Sequence, residues 1–209
     1  MKVFSQHAGS TCQPDISMST PGEKLFSFLK KQPQLTEEAA LGLHERWQTQ
    51  RRLRRGDFLC APGKTEQHIW FVADGVLRLY YPTDEEEVCV GFAYENNVLS
   101  SFPSYVRQQP SAFSIQALQP CTVLGISRSD FQQARERWPG VAMFWGDLLA
   151  FVLTGIIERE IEIATTTPEQ RYHNLLARAP HLFQLVPLKY IASYLRIKPE
   201  TLSRVRAGR

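Results

Sequence analysis

The sequence predicts an α+β chain: a jelly-roll β-barrel of short strands, then one long helix, then a small all-α helix-turn-helix. Three observations predict it. Between Gly56 and Ile126, short apolar runs alternate with turn-forming residues. From Val141 to about Ala164, apolar side chains cover more than one face of a helix. From Leu188 to Arg209, an apolar stripe at i, i+3, i+4, i+7 is followed by a break and a helix that starts on proline.

The barrel comes after a leader, residues 1–22, rich in Ser, Thr, Gly and Pro, and a stretch from Leu25 to Arg54 that reads as helical and is split by Pro33. Candidate strands are Phe58-Leu59, Ile69 to Val72, Val76 to Tyr80, Val88 to Phe92, Phe113 to Leu118 and Cys121 to Ile126. Arg55-Gly56-Asp57, Pro62-Gly63, Ala73-Asp74-Gly75 and Pro82-Thr83-Asp84 punctuate them with turn chemistry. Many short strands at near-regular spacing read as a sandwich or barrel. The acidic run Asp84 to Glu87 reads as a solvated hairpin tip. Ser129 to Trp138 returns to a helical pattern, which gives a barrel unit with flanking helices over residues 23–138.

The long helix belongs to a segment spanning residues 139–166. A helix so wide in apolar surface must bury one side on its own subunit and another elsewhere, and a second copy is the simplest cover. Phe144, Leu148, Leu149, Val152 and Ile156 are the expected dimer contacts. Thr165-Thr166-Thr167-Pro168 then marks a hinge and a fresh helix start.

Residues 167–209 form the helix-turn-helix unit. Leu188, Ile191, Ala192 and Leu195 line its first helix, and Pro199 opens the second, whose Leu202 and Val205 continue the apolar side. Such a corner places its second helix in the DNA major groove. From Pro168 to the end there are eight basic and two acidic residues, a net +6. The whole chain carries +3, so residues 1–167 carry −3. A basic tail on a mildly acidic body suits neutralisation of phosphates. Glu200, Thr201 and Arg204 are the expected base contacts of the 199–208 helix: Glu accepts from cytosine N4, Arg pairs with guanine, and Thr reaches a thymine methyl. Lys189, Arg196, Lys198, Ser203 and Arg206 are assigned to phosphates, which set register without reading sequence. Arg196 occupies the turn position where glycine is usual, and a left-handed backbone there costs about 1 kcal/mol.

Composition removes other classes. No run of eighteen apolar residues is found, so a membrane span is not expected. Four cysteines, Cys12, Cys60, Cys89 and Cys121, form no CxxC pair and point to no zinc or iron–sulfur site. The last three lie in strand patterns and read as buried thiols of a cytoplasmic protein. His7, His44, His68, His173 and His181 show no ligand spacing. A cupin-type enzyme needs clustered His and Glu on strands, whereas His68 stands alone in the barrel, so no enzymatic activity, metal or other cofactor is expected.

In this order the stretches resemble the Crp/Fnr family of bacterial transcription regulators, from about Leu25 to Arg206. The resemblance rests on Arg55-Gly56-Asp57-Phe58-Leu59, His68 to Leu77, Ile126-Ser127-Arg128-Ser129-Asp130-Phe131 and Pro199-Glu200-Thr201-Leu202-Ser203-Arg204. It implies a cyclic-nucleotide-binding-like barrel, a dimerisation helix and a DNA-reading unit. The implied partners are double-stranded DNA, a second copy of the chain as a homodimer, and RNA polymerase.

Two departures qualify it. Cyclic-nucleotide binders of the family use a Gly-Glu-Leu turn and a downstream Arg to grip ribose and phosphate. The corresponding segment, Asn96 to Phe102, has no acidic residue, and the arginine position falls on Ser111. The adenine-reaching polar pair falls on Ile156-Ile157. Cyclic AMP binding is therefore not expected. Leu99, Ser100, Ser101, Phe102, Arg107, Ser111 and Phe113 line the expected effector pocket, with Arg107 as an alternative cation. The family's usual β-hairpin wing is also missing after the second helix, and the tail resembles a short wingless subgroup. The competing reading is a ligand- or protein-binding sensor whose helix-turn-helix has degenerated.

Overall fold

A computed structural model describes residues 19–208. Residues 1–18, with His7, Cys12 and most of the expected leader, lie outside the described residues, as does Arg209. The leader ends sooner than expected, because helix α1 (Pro21–Lys30) already begins at Pro21. Thr20 accepts from the Glu23 N–H while the Glu23 carboxylate accepts from the Thr20 N–H, a capping box that fixes this start. Thr36 caps α2 (Glu37–His44) in the same way through the Ala39 N–H.

Eight strands follow in two antiparallel four-stranded sheets. β1 (Thr49–Leu53), β8 (Cys121–Ser127), β3 (His68–Asp74) and β6 (Val98–Leu99) form one, in that order. β2 (Phe58–Cys60), β7 (Ser114–Ala117), β4 (Val76–Pro82) and β5 (Glu87–Tyr94) form the other. Thr49–Leu53, expected to be helical, is the edge strand β1, paired from Thr49 with Gly125 to Leu53 with Cys121. Its Gln50, Arg51 and Arg52 are exposed, and only the ladder to β8 holds it extended. The tight connection from β3 to β4, which passes from one sheet to the other, turns at Gly75, whose φ of 96° is left-handed and whose added Cβ would lie 2.5 Å from the Cys121 Sγ. Between β6 and β7 the chain forms the short helix α3 (Phe102–Arg107), a segment expected only to line a pocket.

The barrel interior is filled by Leu59, Trp70, Val72, Leu77, Leu99, Ile115 and Val123. Against the outer face of the β1-β8-β3-β6 sheet pack α1, α2, α4 (Arg128–Arg137) and the first turns of α5 (Pro139–Thr165). Leu25, Leu29, Leu43, Phe71, Ile126, Phe131, Val141 and Trp145 make this second core. The thiols of Cys60, Cys89 and Cys121 are free and buried, and desolvation pushes Cys89 up to about 11.

Helix α5 corrects two expectations. Phe144 and Leu148 are 3% and 6% exposed, already buried in their own subunit, so they are not free to meet a partner. The outward apolar residues are Met143, Leu149, Phe151, Leu153, Ile156, Ile157 and Ile161. The helix is also long and apolar enough to cross a membrane, with a mean hydropathy of 1.9 over its best window, contrary to the scan for unbroken apolar runs. Its surroundings do not fit a bilayer. A 27-residue helix is about 40 Å long, yet its first turns are sunk in the barrel core. Beyond its far end, the chain folds back onto strand β5. Elements flanking a membrane span on opposite sides could not touch in this way.

After α5 come α6 (Pro168–Arg178), α7 (Leu182–Leu185), α8 (Leu188–Leu195) and α9 (Pro199–Arg206). Thr167 and Gln170 form a second capping box at the start of α6. Leu175, Leu182, Val186, Ile191, Ala192, Leu195 and Leu202 build the core of this unit, and the core continues into barrel residues Val76, Phe92, Tyr94 and Leu118.

Candidate nucleic-acid interface

Helices α8 and α9 meet at Arg196, whose φ of 56° and ψ of 46° are left-handed, as the turn requires. Ile197 tucks in behind it and donates its N–H to the Ala192 carbonyl at 3.0 Å. Ala192 is fully buried where the helices cross, and Leu202 anchors α9 from below at 1% exposure. The opposite side of α9 is open. Glu200, Ser203, Arg204 and Arg206 are exposed and Thr201 is half-buried. Lys189, Arg196 and Lys198 are exposed along the neighbouring rim. The residues expected to touch bases and phosphates are thus accessible to solvent, Glu200, Ser203 and Arg204 on the side of α9 away from Leu202, and Arg206 one turn beyond it. Arg204 Nη2 donates weakly to Thr201 Oγ1 at 3.5 Å, and Glu200 makes no ion pair among the described residues.

Not all of the tail's charge is available to a ligand. Arg171 is buried at 8% exposure. Arg178 bridges to Glu162 of α5 at 2.9 Å, where Asn174 also donates at 2.9 Å.

The third face of α8 seats on the barrel, which sequence reasoning did not foresee. Ser193 Oγ accepts from the Cys89 N–H at 2.9 Å and donates to the Glu87 carbonyl at 3.1 Å, closing part of the open edge of β5. Tyr190 lies over the Arg78 guanidinium at 4.0 Å, with Tyr80 stacked at 4.0 Å on it as well. Arg78 is 3% exposed; it donates to Gln116 Oε1 at 2.6 and 3.0 Å and pairs with Glu87 at 2.6 Å. One turn further along α8, Arg159 of α5 lies 4.5 Å from the Tyr194 ring and donates to its carbonyl at 2.8 Å. The Arg78–Tyr190 stack and the bridging serine therefore fix the corner to the barrel, and the Arg159–Tyr194 pair fixes it to α5. The available signal was the single cation in the apolar run Val76-Leu77-Arg78-Leu79-Tyr80, since a charge so placed must be paired.

The expected effector pocket is only partly assembled. Ser101 and Ser111 share a 2.7 Å hydroxyl hydrogen bond, and Ser111 also accepts from the Phe113 N–H and donates to its carbonyl. Ser100 donates to the His68 carbonyl, and Leu99 is packed into the barrel interior. Phe102 turns away onto Trp145, with ring centroids 5.7 Å apart, Phe113 stacks on Tyr81 at 5.8 Å, and Arg107 is exposed. The serine hydroxyls thus satisfy one another, and Arg107 makes no ion pair with them or with any described residue. Glu66, unflagged in the sequence, is a buried carboxylate accepting from Gln67 N, His68 N and Trp70 Nε1 within 3.3 Å. A cavity of about 370 Å³ lies elsewhere, between α3, α4 and α5, lined among others by Tyr105, Arg128, Phe131, Arg135 and Trp145. No group of three or more His, Cys, Asp or Glu is placed to hold a metal among the described residues.

With the barrel, the long helix and the seated corner in place, comparison with known proteins is decisive for the fold. Residues 50–137 match the family described as cyclic nucleotide-binding domain. FixK2 from Bradyrhizobium japonicum superposes with a TM-score of 0.66 at 18% identity, covering 77% of this chain and 83% of that one. Residues 50–137 are thus similar to that domain, and the chain shares the fold of FixK2. A mutant of CooA from Carboxydothermus hydrogenoformans superposes with a TM-score of 0.63, at 15% identity over 77% of this chain and 75% of the other. The Thermus thermophilus catabolite activator protein gives 0.52 at 21% identity over 83% of both chains. No curated protein matches. The match to the cyclic nucleotide-binding domain runs through β1 to α4, while the segment Asn96 to Phe102 has no acidic residue and position 111 is serine.

Proposed function

We propose that this chain is a dimeric DNA-binding transcription regulator of Crp/Fnr type, acting on double-stranded DNA in the cytoplasm without a response to cyclic AMP. One observation carries the reading: α9 is anchored by Leu202 while Glu200, Thr201, Ser203 and Arg204 line its outer side and Arg206 is exposed at its end. A side so furnished, next to Lys189, Arg196 and Lys198, matches the division between base readers and phosphate binders. The dimer is supported by the outward apolar row of α5, which a second copy would cover and which would bring two reading helices onto half-sites about one helical turn apart. The boundaries that fit this reading are a barrel over residues 23–138, a dimer helix over 139–166 and a reader over 167–209. The chain's work is then binding, with RNA polymerase as the downstream partner and no catalytic step.

Selection from a random duplex library is expected to recover a two-fold symmetric site. On that site, Arg204→Ala should lose about 1–3 kcal/mol of discrimination at one base position per half-site. Lys198→Ala should weaken all sequences about equally, as removal of a phosphate contact does. Fluorescence anisotropy against single-base variants of the site checks both, and recovery of no enriched site would instead favour a sensor with a degenerate reader.

The absence of a cyclic AMP response is supported by the serine pair, which leaves no carboxylate for ribose and no guanidinium for phosphate. Charge-assisted hydrogen bonds contribute about 1.5–3 kcal/mol each. Isothermal titration with cyclic AMP is expected to give no heat of binding, and micromolar affinity would refute this part of the proposal.

A further inference from the structure

The end of β1 and the turn joining it to β2 carry four arginines, Arg51 and Arg52 in the strand and Arg54 and Arg55 in the turn, against one acid, Asp57. They stand out in a body that is net acidic. Arg51 is occupied, donating to the carbonyls of Leu59 and Phe58 at 3.0 and 3.1 Å. Arg52, Arg54 and Arg55 are exposed and make no ion pair among the described residues. Asp57 is turned inward on the loop, its carboxylate accepting from the Arg54 N–H at 2.8 Å.

The fold places this turn beside the helix-turn-helix. Gly56 N–H donates to the Ala117 carbonyl at 2.9 Å, and the Ala117 N–H donates to the Asp57 carbonyl at 3.0 Å, so the turn is clamped to the end of β7. The next residue, Leu118, packs in the core shared with α8 and α9. A shorter link is made by Gln116. Its Nε2 donates to the Gly56 carbonyl at 2.9 Å while its Oε1 accepts from Arg78, the guanidinium stacked under Tyr190 of α8. One amide and one guanidinium thus separate the arginine turn from the helix that carries Lys189. The exposed Arg52, Arg54 and Arg55 are thus one side-chain relay away from α8.

We infer that Arg54 and Arg55, with Arg52 beside them, form a second phosphate-binding surface that holds the duplex flanking the base-read site. This rests on the proposed DNA reading. Phosphodiester is the partner these residues fit: forked, always-charged donors on a surface with little apolar area between them.

The test uses the selected duplex in two lengths, one ending at the half-sites and one extended by roughly ten base pairs, a helical turn, on each side. Binding of the full chain is followed by anisotropy across a salt series. Wild type should show the steeper salt dependence on the longer duplex. R54Q/R55Q removes four charges per dimer and should lower the slope of log K against log salt on the long duplex by about 3 to 4, with little change on the short one. R54K/R55K should restore it. The turn uses the backbone of Arg54, its N–H and its carbonyl, and not the substituted side chains, and coincident thermal unfolding checks that folding is kept. Equal slopes for wild type and R54Q/R55Q on the long duplex overturn the inference and would point the patch toward an acidic protein. Failure of wild type to bind either duplex overturns the DNA reading and this inference with it.

Discussion

Ile156→Glu combined with Ile157→Glu is expected to leave the chain monomeric and to reduce its affinity for a two-half-site duplex by more than a hundredfold. These side chains are 54% and 50% exposed in the single subunit, so the change does not disturb the subunit's own core. In a dimer closed by α5 they would be covered. Placing a carboxylate in such a seam costs several kcal/mol per ion without a partner, and roughly 1.4 kcal/mol is a factor of ten. Loss of the dimer also removes the second half-site, and the affinity gained by linking two binding events goes with it. Sedimentation velocity reads the assembly and anisotropy reads the binding. A double variant that remains dimeric at micromolar concentration would exclude α5 as the seam. The same pair at Phe144 and Leu148 would not be informative, because those residues hold the barrel to α5.

Arg78→Ala is the second large effect. It removes a guanidinium enclosed by Tyr80 and Tyr190 and strips Gln116 Oε1 of two donors. Glu87 is half exposed and can turn to water, so the full penalty of an abandoned buried charge does not apply. Adding the stack to a charge-assisted hydrogen bond gives an expected loss of about 3 kcal/mol in urea unfolding. Arg78→Lys should recover only a minor part, because an ammonium cannot lie flat between two rings while serving Gln116 from two nitrogens. Amide exchange in α8 should accelerate in both variants. A change within about 0.5 kcal/mol for Arg78→Ala, the scale of an ordinary surface substitution, would mean that the stack contributes nothing to holding α8 on the barrel.

What could be seen in the sequence followed from periodicity. The strands around Ile69 to Val72 and Cys121 to Ile126 are buried on both faces and so appear as continuous apolar runs. The helix-turn-helix could be read down to its strained Arg196, because Ala192, Ile197 and Leu202 fall where a tight crossing needs them. β1 was invisible for the opposite reason. An exposed edge strand of Gln and Arg has no stripe, and its state is set by β8, some seventy positions away. The wide helix announced two buried sides, but its phase alone could not say which side faces its own barrel. Phe144 and Leu148 turned out to belong to the inner one. Arg78 and Ser193 escaped because the partners that justify them lie far along the chain, Gln116 and Tyr190 for Arg78 and Glu87, 106 positions away, for Ser193. The carboxylate of Glu66, by contrast, is held by its near neighbours Gln67, His68 and Trp70. The expected pocket failed on chemistry: two hydroxyls at 2.7 Å satisfy each other and demand nothing further.

The contact of Ser193 with β5 also bears on solubility. β5 pairs only with β4, so its outer ladder is the kind of unpaired edge on which strands of other molecules can add. α8 covers that edge, with Ser193 occupying a donor and an acceptor on it. The reading unit therefore serves as the barrel's guard against self-association, and a truncated chain lacking α8 would present β5 as a template for aggregation.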